Sequence, residues 1–185
     1  MLQPLFGGAL SACVPHGAQD VSELRQVPDN QEVFAHRHTD QSIVVELLEH
    51  QGHVEDEGAA RYHFEDLAES NHALDPGSSE VSSVEPLPKT ELSMQQCASA
   101  WLLTGTQRVS KFDEKDKNQV NIVMCLFRLP QFSTDVLVTF NDPVVISPLS
   151  SSAAGPAAMD SAPWTLENFQ CLLRSVRLLD PGVFG

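Results

Sequence analysis

Two β-rich, mostly apolar segments near the middle of the chain constrain the fold most. QVNIVMCLFRL spans residues 119–129 and TDVLVTFN spans residues 134–141, with the turn sequence LPQFS at their junction. β-Branched and aromatic side chains favour strands, and a short connection places consecutive strands side by side. The sequence therefore predicts an antiparallel pair of strands at the centre of a sheet.

The other segments predict a mixture of strands and helices. Further strands are predicted within residues 5–14, 32–36, 61–67, 80–87 and 98–112, the last with a bend or bulge at its glycine. Helices are predicted at 39–51 and 164–176, where apolar residues recur at helical spacing. This mixture indicates the α+β class.

The segment TDQSIVVELLEHQ, residues 39–51, bears on function as well as on fold. Ile43, Val44 and Leu47 recur at helical spacing, and Glu46 and Glu49 are three residues apart. On a helix, residues at i and i+3 share a face. We therefore expect a helix that buries its apolar side and presents both carboxylates on the other.

The length of 185 residues favours one domain over residues 1–185. Residues 142–163 are rich in Ser, Ala and Pro, and we expect them to form a flexible loop within that domain.

The net charge of −14 is concentrated in the first half of the chain. Residues 1–90 hold 16 acidic and 4 basic residues and thus −12, whereas residues 91–185 hold 9 and 7 and thus −2. Such a surface repels nucleic acid and anionic lipid and attracts basic proteins. Solubility alone is the competing explanation of the charge.

Cysteine spacing and hydropathy point to a reducing compartment. The four cysteines include no CxxC pair, and free cysteines among apolar residues are typical of reduced proteins. The N-terminal sequence MLQPLFGG lacks the basic start and long apolar run of a signal peptide, and no run reaches the ~20 apolar residues of a membrane span.

Motifs of common enzymes and metal sites are absent. The sequence has no GxxxxGK[ST], GxGxxG or GxSxG motif. The seven histidines are better explained as solvated than as zinc ligands, since no cysteine lies among them. His63 is the exception, because it lies in the predicted strand 61–67 and is expected to be a packed or edge residue. A hydrolase using Glu46 with Glu49, or Asp29 with Glu32, as an acid/base pair is the alternative. An acidic binding protein is favoured, without a metal or other cofactor.

The stretch VPDNQEVF, residues 27–34, sets Asp29 and Glu32 beside Pro28, directly before a predicted strand. A turn needs the proline and the Asx residues, but it does not need the glutamate. Asp29 either shapes the turn or belongs to a working surface, and Glu32 is either a solvated strand residue or part of the same surface.

Several blocks of the chain together resemble the Mog family of Ran-binding proteins. They occur in the order PLFGGALSACVP, DVSELRQVPDNQEVF, DQSIVVELLE, RYHFEDL, LFRLPQFSTDVLVTFN and LLDPGVFG. The resemblance covers nearly the whole chain, with variable segments at 52–60, 68–98, 111–118 and 142–163.

The resemblance implies a fold and a function. The family fold, shared with PsbP-like proteins, is a central antiparallel sheet of about six strands flanked by helices on both sides. The family binds the small GTPase Ran in the nucleus and cytoplasm, promotes loss of its guanine nucleotide without acting as an enzyme, and tunes nuclear transport. A monomer is expected. The alternative is an adaptor in trafficking of a voltage-gated sodium channel, with Ran secondary.

The resemblance also assigns roles to five acids. Glu46 and Glu49 match the pair implicated in Ran binding, although some relatives carry aspartate at the first position. Asp20, Asp29 and Glu32 match the acids implicated in nucleotide release. Local roles compete with this assignment: Asp20 can cap the following DVSEL segment, and Glu46 and Glu49 can belong to an ordinary solvated face.

Overall fold

The computed structural model describes residues 2–109, 118–144 and 162–184. Ten strands and two α-helices lie within these ranges. The strands are β1 Leu2–Leu5, β2 Leu10–Cys13, β3 Ala18–Asp20, β4 Gln31–His36, β5 Ser42–Glu49, β6 Ser79–Pro86, β7 Ser99–Val109, β8 Asn118–Leu129, β9 Thr134–Pro143 and β10 Arg177–Leu178. The helices are α1 Asp56–Ser70 and α2 Leu166–Ser175.

The strands form two antiparallel sheets. The larger sheet has seven strands in the order β3-β4-β5-β9-β8-β7-β6, and the smaller has three in the order β1-β2-β10. The predicted α+β class is confirmed. The resemblance implied a sheet of about six strands, and the structure has a sheet of seven strands and a second, smaller sheet.

The predicted central pair of strands is β8 and β9. Leu129 pairs with Thr134 and Arg128 with Asp135, and the turn between them is a 3-10 helix, Pro130–Phe132. The large sheet continues on both sides of this pair. Residues 122–129 of β8 and 134–140 of β9 are buried, as expected for strands covered on two faces.

One α-helix covers each face of the large sheet, as the resemblance implied. On one face, α1 packs Ala60 and Phe64 against Leu103, Met124 and Leu126. On the other, α2 and the small sheet enclose the larger core cluster, which includes Phe169, Leu172, Leu10, Phe127 and Val138. This arrangement gives the sheet an α1 face and an α2 face.

Two predicted elements are the wrong type. Residues 42–49 form β5 and not a helix, and Ile43 and Val45 are buried at the two-residue period of a strand. Residues 61–67 lie in α1 and not in a strand, where Ala60, His63 and Phe64 are buried at helical spacing. A short apolar run can match the helical period and the strand period equally well. Residues 42–49 form a strand because β4 and β9 pair with them.

The bend predicted near Gly105 lies on the neighbouring strand. β7 runs through Gly105 without interruption, and the irregularity in pairing is between Val81 and Ser83 of β6, where Val81 opposes Gly105.

The second predicted helix is confirmed as α2. Thr165 caps its start: its side chain accepts from the Asn168 N–H, and the Asn168 side chain accepts from the Thr165 N–H. Most of the loop predicted at 142–163 lies outside the described residues. Within them, no helix has the length and hydropathy needed to cross a bilayer.

Candidate functional site

Glu46 and Glu49 lie on opposite faces of the sheet, which corrects the expectation of a shared helical face. Successive side chains of a strand point to opposite sides, and positions 46 and 49 differ by an odd number. Glu46 pairs with Leu137, whose side chain belongs to the α1 face. Glu49, at the end of β5, is on the α2 face with Leu47.

Glu46 is half-buried and hydrogen-bonded. The Gln31 side-chain amide donates to its Oε2 at 3.0 Å. Burial raises the pKa of Glu46 above its ordinary value, a shift that the Gln31 hydrogen bond and nearby His63 oppose and nearby Asp66 supports. This carboxylate is therefore less suited to act as a free surface charge than the exposed Asp29 and Glu49.

Asp29 and Glu49 come together at one end of the sheet. The pairing of Gln31 with Glu46 places the turn before β4 beside the end of β5. Asn30 fixes this contact, since its carbonyl accepts from the Leu47 N–H at 2.9 Å and its side-chain amide donates to the Leu47 carbonyl at 3.2 Å. Asp29 and Glu49 are both exposed.

These two carboxylates line an open groove of about 520 Å³, named the acidic groove. The other lining residues are Phe6, Asn30, Leu47, Leu48, Ser133, Thr134, Val183 and Phe184. Among the described residues, none that lines it is basic, and no side-chain hydrogen bond or ion pair engages Asp29 or Glu49. Its rim therefore carries uncompensated negative charge.

Glu32 holds one lining residue of the acidic groove, Phe6, through a hydrogen bond. It is half-buried, and its Oε1 accepts a hydrogen bond from the Phe6 N–H at 2.8 Å. Phe6 has the unusual φ of +51°, followed by Gly7 at +70° and Gly8 at +94°. A positive φ is unfavourable for a phenylalanine, so the Glu32 carboxylate helps to hold this turn, and Phe6 lines the groove.

Asp20 occupies the edge of the large sheet and has a local partner. It ends β3, and its Oδ1 accepts from the Ser22 N–H at 2.9 Å and from the Ser22 hydroxyl at 2.7 Å. This is the cap of the 3-10 helix Val21–Glu23. The structure thus brings Asp29 and Glu49 into one groove lining and leaves the other three acids outside it, with Glu32 bonded to the lining residue Phe6.

The C-terminal residues contribute to the groove, which no pattern in the sequence predicted. Val183 and Phe184 lie in the 3-10 helix Pro181–Phe184, and the Phe184 ring lies 5.5 Å from that of Phe132, centroid to centroid. The only signal was the block LLDPGVFG, which the resemblance matched without assigning a role.

A buried charged network was also missed. Asp135 is fully buried and accepts from His50 at 2.8 Å, from His63 at 3.3 Å and from Arg128 at 3.4 Å. Burial alone would raise the pKa of Asp135, but the hydrogen bonds from His63, His50 and the Gln51 N–H, with the charge of Arg128, hold it below its ordinary value. In the sequence, this network was indicated by two residues of opposite charge, Arg128 and Asp135, at equal distances from the β8–β9 turn.

Two of the histidines are buried, as was expected for His63 but not for His36. His36 and His63 are each only 4% exposed, and the His36 Nε2 lies 2.8 Å from the Ala162 carbonyl oxygen. Within the described ranges, no group of three or more His, Cys, Asp or Glu residues is arranged to hold a metal ion.

Comparisons with known proteins agree with this fold. Residues 3–143 match the family model described as Mog1, the Ran-interacting Mog1 protein. The zebrafish protein named Ran guanine nucleotide release factor is 65% identical over 185 residues, covering 100% of both chains. The budding-yeast protein named nuclear import protein MOG1 is 30% identical, covering 98% of this chain and 83% of its own length.

A solved structure is similar over the same length. The crystal structure of the budding-yeast Ran-binding protein Mog1p superimposes with a TM-score of 0.73 at 27% identity, covering 100% of this chain and 98% of its own. The chain therefore belongs to the Ran-interacting Mog1 family.

Proposed function

We propose that this protein binds the small GTPase Ran, promotes release of its guanine nucleotide, and thereby acts in transport between nucleus and cytoplasm. The observation that carries the proposal is the 65% identity over the full length with the zebrafish release factor. The name of the yeast relative, a nuclear import protein, supports the transport role. We expect the protein in both compartments, as a monomer.

Release of nucleotide by a binding protein requires a difference in affinity. The protein must bind nucleotide-free Ran more tightly than nucleotide-bound Ran. This follows because the protein can weaken the binding of nucleotide to Ran only as much as nucleotide weakens the binding of the protein to Ran. A difference of about 4 kcal/mol weakens nucleotide binding about 1000-fold. No bond in Ran or in the nucleotide needs to be made or broken, so the proposal describes a regulator and not an enzyme.

The acidic groove is the surface best suited to this role. A small GTPase holds its nucleotide with a lysine, backbone N–H groups and Mg²⁺. Asp29 and Glu49 are exposed and have no side-chain partner among the described residues, so they are available to attract a lysine or arginine of Ran away from its native contacts. Glu46 is on the other face and half-buried, so we assign it a weaker contribution than Glu49.

The test is the release of a fluorescent guanine nucleotide from purified Ran, measured with and without the protein. We expect the wild type to accelerate release, and Glu49→Lys and Asp29→Lys to lower the rate at least tenfold through charge repulsion. Glu46→Lys is measured alongside, and we expect a smaller effect.

Glu85→Lys is the matched control. Glu85 is exposed on β6, at the other edge of the large sheet, and its replacement changes the net charge by the same amount. If Glu85→Lys impairs release as much as Glu49→Lys, then overall charge and not the acidic groove governs the activity. If wild type neither binds Ran nor accelerates release, the proposed function is wrong.

The adaptor role for a sodium channel stays a prediction of the resemblance. Neither named relative refers to a channel. Charge reversal at Glu49 would separate the roles, since an adaptor surface elsewhere on the molecule would keep its affinity.

A further inference from the structure

The acidic groove combines two kinds of surface that bind different chemistry. Phe6, Leu47, Val183 and Phe184 provide an apolar wall, and Asp29 and Glu49 provide a charged rim. Each of the four apolar side chains is half-buried, packing against the α2-face core on one side and lining the groove on the other. An apolar surface so exposed beside charge is typical of an interaction site.

Hydrogen bonds hold the walls of the groove in place before any partner binds. The Glu32 carboxylate accepts from the Phe6 N–H, which fixes one wall. The Ala9 carbonyl, just after the Phe6 turn, accepts from the N–H groups of Leu179 at 2.8 Å and Asp180 at 3.0 Å. This contact ties the C-terminal segment to that turn. A preformed groove loses little conformational entropy on binding.

The charge of the groove restricts the partner. No described lining residue is basic, so an acidic segment would be repelled and a basic one attracted. A purely ionic partner would leave the apolar wall in water, however, and a purely apolar one would leave the carboxylates without partners. The complementary segment carries both features, and the aliphatic stem of a lysine or arginine can itself pack on an apolar wall.

We propose that the acidic groove receives an exposed segment of Ran in which a lysine or arginine lies next to an aliphatic or aromatic side chain. This inference rests on the proposed function. It makes the C-terminal turn, through Val183 and Phe184, a part of the Ran-binding surface, and it makes Glu32 a positioning residue that acts through Phe6. The carboxylates then supply attraction at a distance, and the apolar wall supplies affinity that salt does not screen.

The dependence of affinity on salt separates these contributions. The dissociation constant for nucleotide-free Ran is measured by calorimetry at low and high salt for Phe184→Ala, Glu49→Gln and Leu74→Ala. Leu74 is the control, because it is 66% exposed and does not line the groove. Thermal unfolding of each variant shows that it is folded.

We expect Phe184→Ala to weaken binding about tenfold at both salt concentrations, because it removes apolar contact area. We expect Glu49→Gln to weaken binding several-fold at low salt and less at high salt, because counterions screen the lost attraction. Leu74→Ala should bind as the wild type does. If Phe184→Ala binds Ran as tightly as Leu74→Ala does, the inference is wrong while the proposed function stands.

A second measurement needs no variant. In the ¹⁵N-labelled wild-type protein, the amide signals of Phe6, Leu47, Val183 and Phe184 should shift or broaden when Ran is added. If Ran binds and these signals stay unchanged, the groove is not the contact surface. If Ran does not bind the wild type at all, both the inference and the proposed function fail.

Discussion

Glu32 shows at the scale of one residue how a carboxylate can be assigned to function and also have a structural partner. The resemblance matches it to the acids of nucleotide release, and the structure shows its Oε1 accepting from the Phe6 N–H at 2.8 Å, across 26 residues of sequence. The proline and asparagine beside it shape a turn, and the glutamate joins that turn to the start of the chain. Its charge and its hydrogen bond can be separated by substitution.

Glu32→Ala and Glu32→Gln distinguish the two roles. Alanine removes the acceptor and leaves a half-buried N–H at a strained residue, so we expect the free energy of unfolding to fall by about 1–3 kcal/mol. Glutamine keeps an acceptor oxygen without the charge, so Glu32→Gln should lower the free energy of unfolding by less than half as much as Glu32→Ala. Urea unfolding measures both variants.

Nucleotide release by the same two variants then assigns the function. If Glu32 acts by holding Phe6, the glutamine variant should retain most of the activity while the alanine variant loses it. Equal loss in both variants would mean that the charge itself acts on Ran, contrary to the positioning role.

At the scale of the element, β5 and α1 show that a local pattern can favour the wrong structure. The run SIVVELLE satisfies helical spacing, yet its β-branched residues also suit a strand. β9 pairs with it along its whole length, and β4 pairs with its residues 42–46. RYHFEDL alternates like a strand, but Ala59, Ala60 and Phe64 form a helical stripe against the sheet. Both outcomes depend on partners distant in sequence.

The packing of α1 on the sheet predicts a specific role for Gly105. A methyl group there would lie 2.5 Å from the Glu80 carbonyl oxygen and 2.8 Å from the Phe64 ring. We expect Gly105→Ala to lower the free energy of unfolding by about 1–3 kcal/mol, because the helix or the β6 irregularity must shift. Chemical denaturation gives the value.

Gly52→Ala is the control for Gly105→Ala. Its added methyl group would meet nothing closer than the His50 ring at 3.6 Å, an ordinary contact. Its effect should stay below about 1 kcal/mol. Similar costs at both positions would show that loss of glycine itself, and not contact with Phe64 and Glu80, is responsible.

At the scale of the whole molecule, the network around Asp135 connects the centre of the sheet to α1 and the segment before it. Arg128, 2% exposed, donates to the carbonyls of Gln51 at 2.6 Å and Val54 at 2.8 Å and to Asp56 at 3.0 Å. His50 and Arg128 share the Asp135 carboxylate. Removing one member of a buried ionic network leaves the others without compensation.

Asp135→Asn tests this network and its dependence on pH. The pKa of Asp135 is lower in the folded protein than its ordinary value of 3.8. Its charge therefore stabilises the fold fully at pH values above 3.8, and this stabilisation is lost as the pH falls through the pKa of the folded state. We expect Asp135→Asn to lower the free energy of unfolding by about 3–5 kcal/mol near pH 6. The difference between the variant and the wild type should become smaller below about pH 4. Urea unfolding over this pH range measures it.

Asp56→Asn is the matched control, since Asp56 binds the same Arg128 but has a side chain 53% exposed. Asp56→Asn should lower the free energy of unfolding by about 1 kcal/mol or less. Equal costs at the two positions, or a cost at Asp135 that does not change with pH, would contradict the account of a buried and charged Asp135.

Features encoded by neighbouring residues could be predicted from the sequence. The β8–β9 pair and α2 each depend on their own pattern and on a turn or cap within a few residues. The acidic first half of the chain is a property of composition, and the blocks that resemble the Mog family are continuous stretches of sequence. Local propensity is sufficient for these because no distant partner has to be known.

Features that join distant residues were decided only by the tertiary structure. Whether residues 42–49 form a helix or a strand depends on β4 and β9, and that choice places Glu46 and Glu49 on opposite faces. The acidic groove likewise unites the Phe6 turn, the end of β5 and the C-terminal turn. A sequence pattern specifies the face of an element, but the register between elements specifies which faces and ends meet.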